Sequence, residues 1–251
     1  MAGEWIDIGH EGLGGWLALP TRVPAPGILL LPDMQATERF VRSEAERYAE
    51  AGHVVLAPDL CWRLRPSAVG KSAGGKSAGG RSAGGRPAGY HAAVRRFDLQ
   101  RGLQDLAVAL CCLRLRTECT GLAGVLGFRF GARLALLGVQ AVDIDAAVAV
   151  DPGEADAPAI EPGTRCPVAL HMAGEACGEA AEAAGGRWRV YRYPGTRPGF
   201  AIPHRARFDA AAAALAHERS LAWFAARLGG PAERRGTVIA FPSGLREASR
   251  S

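Results

Sequence analysis

No apolar run in this sequence approaches membrane-spanning length. Its first residues, Met1-Ala2-Gly3-Glu4-Trp5-Ile6-Asp7, hold neither a basic n-region nor an apolar h-region. These absences argue against a membrane partner and lead us to expect a cytoplasmic protein. Paired metal-ligand spacing is missing too. Cys61, Cys111, Cys112, Cys119, Cys166 and Cys177 form no CxxC pair and no Cys/His set with zinc spacing. They read as small buried hydrophobes in a reducing compartment, and neither a metal nor a cofactor is expected. Acidic residues are absent from 61–97, which holds Arg63, Arg65, Lys71, Lys76, Arg81, Arg86, Arg95 and Arg96. That segment carries +8 against a net charge of +5, so the remainder of the chain is −3. The basic character belongs to one loop, and a nucleic-acid partner is not expected. Aromatic residues make up only 7% of the chain, yet 48% of its 251 residues are hydrophobic, enough for the core of one α/β-sized domain.

Short β-like runs alternate with helical ones. Leu13 to Leu19, Ile28 to Leu31 and His53 to Ala57 read as strands, the last stopped by Pro58. Phe40 to Ala51 is amphipathic and ends at Gly52, a C-terminal helix signal. Within Phe97 to Arg116, Leu99, Leu103, Leu106, Leu110 and Leu113 recur at helical spacing. Three further strands are expected at Ala146 to Val150, Val168 to Ala173 and Arg187 to Tyr193, and a last helix at Ala206 to Leu228. Such alternation predicts a largely parallel sheet covered on both faces.

Residues 1–228 therefore read as a single domain with an insert, followed by a poorly ordered tail at 229–251. The insert, 67–90, repeats Lys-Ser-Ala-Gly-Gly and its Arg variants in tandem. It has almost nothing to bury and should be flexible. Within it, Gly70 to Ser77 matches the Gly-x4-Gly-Lys-Ser phosphate-loop pattern. That loop needs a buried strand before it and a helix after it, and more repeat stands in both places. The repeat reads as tolerated slippage, or as a basic surface that docks an acidic protein partner.

The stretch that carries most information is Gly127-Phe128-Arg129-Phe130-Gly131. It follows the apolar run Gly124-Val125-Leu126 and opens a helix at Arg133 to Leu137. Strand, Gly-x-nucleophile-x-Gly, helix is the form of a nucleophile elbow. The two glycines permit a sharp turn and close strand–helix approach. Arginine holds the nucleophile's place, and a guanidinium has no lone pair with which to attack a carbonyl.

Around the elbow the chain resembles the dienelactone hydrolase family, thiol-dependent α/β-hydrolases acting on lactone or enol-ester substrates. The resemblance runs from about Trp16 to Leu228. It is carried by Gly27-Ile28-Leu29-Leu30-Leu31-Pro32-Asp33-Met34, Leu56-Ala57-Pro58-Asp59-Leu60-Cys61-Trp62-Arg63, the elbow, Leu170-His171-Met172-Ala173-Gly174-Glu175 and Tyr193 to Phe200. It implies an α/β-hydrolase fold with a mostly parallel sheet of about eight strands and helices on both faces. It also implies a Cys-His-Asp triad, whose positions here hold Arg129, Pro198 and Ala176. Asp33 stands where the family has a longer Glu, Arg63 matches a family Arg, and the oxyanion amides would be those of Met34 and Phe130.

Other residues stand close enough in sequence to be candidate substitutes. His171 ends a strand and reads as structural. His204 lies six residues past the lost His, Cys61 reads as packed, and Cys177 and Glu175 adjoin the missing Asp. The expectation is a non-hydrolytic pseudoenzyme that binds a small anionic molecule through Asp33, Arg63, Arg129 and the Met34 and Phe130 amides. One alternative is an active hydrolase, lyase or isomerase using Asp33, Arg63 and Arg129 on an acidic substrate. Another is a structural or regulatory partner in which Arg129 is mere drift.

Overall fold

Along one central strand the side chains divide between two cores. Ile28 and Leu30 join one, Leu29 and Leu31 the other. That two-residue period, apolar on both sides, belongs to a strand covered on both faces. The computed structural model describes residues 3–10, 12–64, 94–153, 166–174 and 187–229. In chain order the elements are β1 (Glu4–His10), β2 (Leu13–Ala18), β3 (Ala25–Leu31), α1 (Glu38–Glu50), β4 (Val54–Pro58), α2 (Leu99–Leu115), β5 (Cys119–Phe128), α3 (Phe130–Ala141), β6 (Ala146–Val150), β7 (Val168–Ala173), β8 (Trp188–Tyr193) and α4 (Ala210–Leu228). The repeat 67–90 with its phosphate-loop pattern, Glu175, Ala176 and Cys177, and the tail from 230 onward lie outside the described residues.

One eight-stranded sheet runs in the order β1-β2-β4-β3-β5-β6-β7-β8. β2 pairs antiparallel with β1 and β4, and every other pairing is parallel. Helices α2 and α3 cover one face through Leu103, Leu106, Leu110, Leu134 and Val139. Helices α1 and α4 cover the other through Phe40, Tyr48, Trp223 and Phe224. Three helices start on a side chain that accepts from a first-turn amide: Thr37 from Phe40, Asp98 from Arg101 and Asp209 from Ala212. β1 was not expected. It is an edge strand, largely exposed at Glu4, Trp5 and Asp7, so burial leaves little apolar signature in its sequence. β5 starts at Cys119, earlier than the apolar run at Gly124 suggested.

The topology decides where a site can lie. From β3 the chain crosses through α1 to β4 on one side, then returns through α2 to β5 on the other. The carboxyl ends of β3 and β5 therefore diverge at a switch point, the place where α/β sheets open a crevice. Asp33 and Met34 follow β3, and Arg129 follows β5.

Candidate functional site

The elbow forms as its sequence implies. Arg129 connects β5 to α3 with φ 52° and ψ −112°, a conformation that costs a non-glycine residue of order 1–3 kcal/mol. Close packing holds it there. A Cβ on Gly131 would run into the Leu31 carbonyl, and one on Gly127 into the Gly131 carbonyl. The Arg129 amide donates to the Val150 carbonyl at 2.9 Å, tying the turn to β6.

The side chain of Arg129 is not free. Its guanidinium pairs with Asp151 at 3.1 Å, the Arg side chain 25% exposed and the Asp side chain 5%. Asp151 follows β6 and itself has a positive φ of 54°. The same carboxylate oxygen accepts the amide of Gly199, the residue after Pro198. One carboxylate thus joins the elbow, the end of β6 and the loop at Pro198 and Gly199. Burial pushes the Asp151 carboxyl above its ordinary value, while the Arg129 charge and the Gly199 amide pull it back and nearby Asp33 adds to the rise. Phe128, Arg129, Val150, Asp151, Gly199, Ala201 and Ile202 pack together at this point and leave no room for a water molecule.

Asp33 and Arg63 have internal partners as well. Asp33 is buried and pairs with Arg205, and its Oδ1 has no hydrogen-bond partner. Arg63 pairs with fully buried Asp105 of α2 and lies 4.1 Å over the Trp62 ring, whose Nε1 donates to the same carboxylate at 3.2 Å. Arg129 and Arg63 each meet a carboxylate of the protein itself, because the low-dielectric strand ends cannot hold either charge alone. Phe130 begins α3, its ring buried edge-on to Phe97 at 4.9 Å, and Met34 lies in the turn closed by the Ala36 amide on the Asp33 carbonyl.

His171 is structural. It is fully buried, stacked at 5.0 Å on Tyr191, with Nδ1 2.7 Å from the Tyr193 hydroxyl and Nε2 3.3 Å from Ser220 Oγ. Ser220 gives its proton to the Ala216 carbonyl, so Nε2–H donates to Ser220 and Nδ1 accepts from Tyr193. Burial pushes its pKa down to about 3. His204 is exposed with its ring edge against Phe40, and Cys61 is half-buried before the 3-10 turn Trp62–Leu64. Sequence reasoning missed Asp151, Arg205 and Asp105. Only Asp151 left a signal, as a carboxylate directly after a buried strand.

Among the described residues no group of three or more His, Cys, Asp or Glu could hold a metal ion, and no helix is long and apolar enough to cross a membrane. The sheet order and the glycine-framed turn after β5 define an α/β-hydrolase fold. The chain belongs to the dienelactone hydrolase family, whose model matches residues 13–228. Over 152 residues it is 26% identical to a carboxymethylenebutenolidase of Pseudomonas putida, covering 59% of this chain and 60% of that protein. Over 122 residues it is 26% identical to carboxymethylenebutenolidase 1 of Cupriavidus pinatubonensis, covering 49% and 48%. The chain thus spans about half to three-fifths of the curated relatives it matches. Among solved structures, a Klebsiella pneumoniae protein assigned to the dienelactone hydrolases superposes with a TM-score of 0.70 at 20% identity, covering 89% of this chain and 98% of that one. The dienelactone hydrolase of Anabaena variabilis gives 0.60 at 19%, covering 90% and 97%.

Proposed function

We propose that this family member does not hydrolyse esters through a thiol, and that it holds a small anion at Arg129 by exchange with Asp151. The Arg129–Asp151 pair carries the reading. A guanidinium occupies the nucleophile's position at the start of α3, where first-turn amides and the helix dipole favour negative charge. Its protein partner is a carboxylate that burial pushes toward the neutral form. An incoming carboxylate or phosphate would replace Asp151 on the guanidinium, and a neutral Asp151 could still accept from Gly199. The family resemblance puts the other two triad positions at Pro198 and Ala176, neither of which can carry a proton, and this supports the non-hydrolytic half.

A second reading, a structural or regulatory partner with a closed site, is favoured by the internal pairing of Asp33, Arg63 and Arg129. One experiment separates them. Succinate and inorganic phosphate are expected to raise the melting temperature of the wild type and not of Arg129→Ala. Equal shifts in both proteins would leave the closed-site reading. In parallel, 4-nitrophenyl acetate should be turned over no faster by wild type than by Arg129→Ala. A product burst abolished by iodoacetamide would sink the non-hydrolytic reading.

A further inference from the structure

Three histidines meet where α4 docks on the rest of the fold. His53, directly before β4, sets its ring 6.2 Å from that of Phe224, and neither of its nitrogens has a hydrogen-bond partner. His171, on β7, reaches Ser220 of α4 through Nε2. His217 belongs to α4 itself and meets Tyr48 of α1 edge-on at 4.6 Å, its Nδ1 buried and unpartnered. Trp223 Nε1, also on α4, is buried without a partner. The helix is held by apolar side chains, chiefly Ala216, Trp223, Phe224 and Leu228. Neither α2 nor α3, on the opposite face, contains a histidine.

We propose that α4 is an acid-released helix: protons taken up by these histidines free it from the sheet while α2 and α3 stay packed on the other face. The docked surroundings have no carboxylate to offer an imidazolium. His53 faces the Phe224 ring, and burial alone shifts it. His171 lies among Tyr191, the Tyr193 hydroxyl and Ser220. The charge it feels is the cation of Arg219, which lies over both tyrosine rings. On the α1 side His217 feels Arg47, and Glu44, on the same cleft, is already paired with Arg47 at 2.6 Å. Undocking gives each ring water, and gives the orphaned nitrogens of His53, His217 and Trp223 the partners they lack. Burial holds His171 to about 3 and His53 to about 4 in the docked state. The released state therefore takes up protons that the docked one refuses, and release is favoured as pH falls from about 6.5 toward those values. Nothing in this depends on what Arg129 binds.

The test is hydrogen exchange read by mass spectrometry on the full chain at pH 7.5 and pH 5, corrected for the intrinsic pH dependence of amide exchange. One ring that moves from about 4 to the ordinary 6.5 on release shifts the opening equilibrium by about 30-fold between these conditions. With three such rings, α4 peptides are expected to open at least about 30-fold more often at pH 5. They should then open at least about ten-fold more often than α2 peptides, which stay protected until the whole fold opens. His53→Phe keeps a ring on Phe224 and loses no hydrogen bond, so in it the pH effect on α4 should shrink by about 30-fold. His171→Phe should shrink it in the same direction, so a fold lost in one variant leaves the other, and the wild type is informative by itself. A common opening constant for α4 and α2 peptides at pH 5 would mean that the fold opens as one unit and would overturn the proposal. So would α4 peptides that open equally at both pH values, or an unchanged pH effect in both variants.

Discussion

At the scale of single residues the informative relation is compensation. Arg129 brings a permanent charge to a strand end, and Asp151, 22 positions later, neutralises it. Removing one partner leaves the other buried and unpaired, which costs more than the intact pair contributes. Arg129→Ala should therefore destabilise the fold by about 1–3 kcal/mol in urea unfolding. Asp151→Asn should cost less. Asn tolerates the positive φ and its side-chain oxygen can still accept from Gly199. The double variant should recover part of the Arg129→Ala loss, a coupling measurable by a double-mutant cycle. Asp151→Asn also removes the carboxylate that competes for the guanidinium, so it should bind succinate more tightly than wild type. Arg129 was legible in the sequence because Gly127 and Gly131 frame it. Its counter-ion was not, and neither were Arg205 for Asp33, 172 positions away, or Asp105 for Arg63, 42 positions away. Which opposite charges meet is decided by topology, and a linear sequence shows the charges without the meeting.

Among the elements, the elbow is the most constrained. α3 starts immediately after Arg129 without a side-chain cap, so packing against β3 fixes its position. A Cβ at Gly131 would collide with backbone, the Leu31 carbonyl, which no side-chain rotation can relieve. Gly131→Ala should thus cost more than about 2 kcal/mol or prevent folding, whereas Gly52→Ala should still fold and cost only the backbone strain, about 1–2 kcal/mol. At Gly52 nothing lies within 4 Å of the added carbon, and only the positive φ of 97° opposes it. Circular dichroism melts of the two variants provide the comparison. Elements with two-sided or helical apolar periodicity were readable to within a few residues: β6 and β7 fall at the expected positions, and α2 within two residues at its start and one at its end. The last helix begins at Ala210 instead of Ala206, because Asp209 caps it and residues 203–207 are taken up by turns.

For the whole molecule, buried histidines set the response to acid. Burial lowers His171 to about 3 and His53 to about 4, and burial with Arg47 lowers His217 to about 4. Each folded-state value lies below the ordinary histidine value, so the unfolded chain takes up protons that the native chain refuses. The stability they contribute is present above about pH 6.5 and falls away as pH drops toward the lowered values. A histidine that fully refuses its proton contributes a slope of up to about 1.4 kcal/mol per pH unit in that window. His217, which is less buried, should contribute less. Asp151 and Glu44 are raised and act in the opposite sense, losing stability as pH rises from the ordinary carboxylate range through their raised values. The loss therefore sets in below about pH 6.5 and is steepest near pH 5, midway between the ordinary histidine value and the lowered ones. Urea midpoints at pH 7.5, 6 and 5 should fall in that order, and His171→Phe should flatten the dependence by close to one proton. An unchanged slope would mean that His171 takes up protons equally in both states.

The carboxylate at 151 also bears on what a thiol at this turn would meet. A cysteine at 129 would set its sulfur beside a buried acid that no longer has a cation to hold it ionised. Burial then favours the neutral acid, and the substitution itself removes the guanidinium that would stabilise a thiolate. That sulfur would stay a thiol, and a thiol-based site here would need a new cation or base beside residue 129.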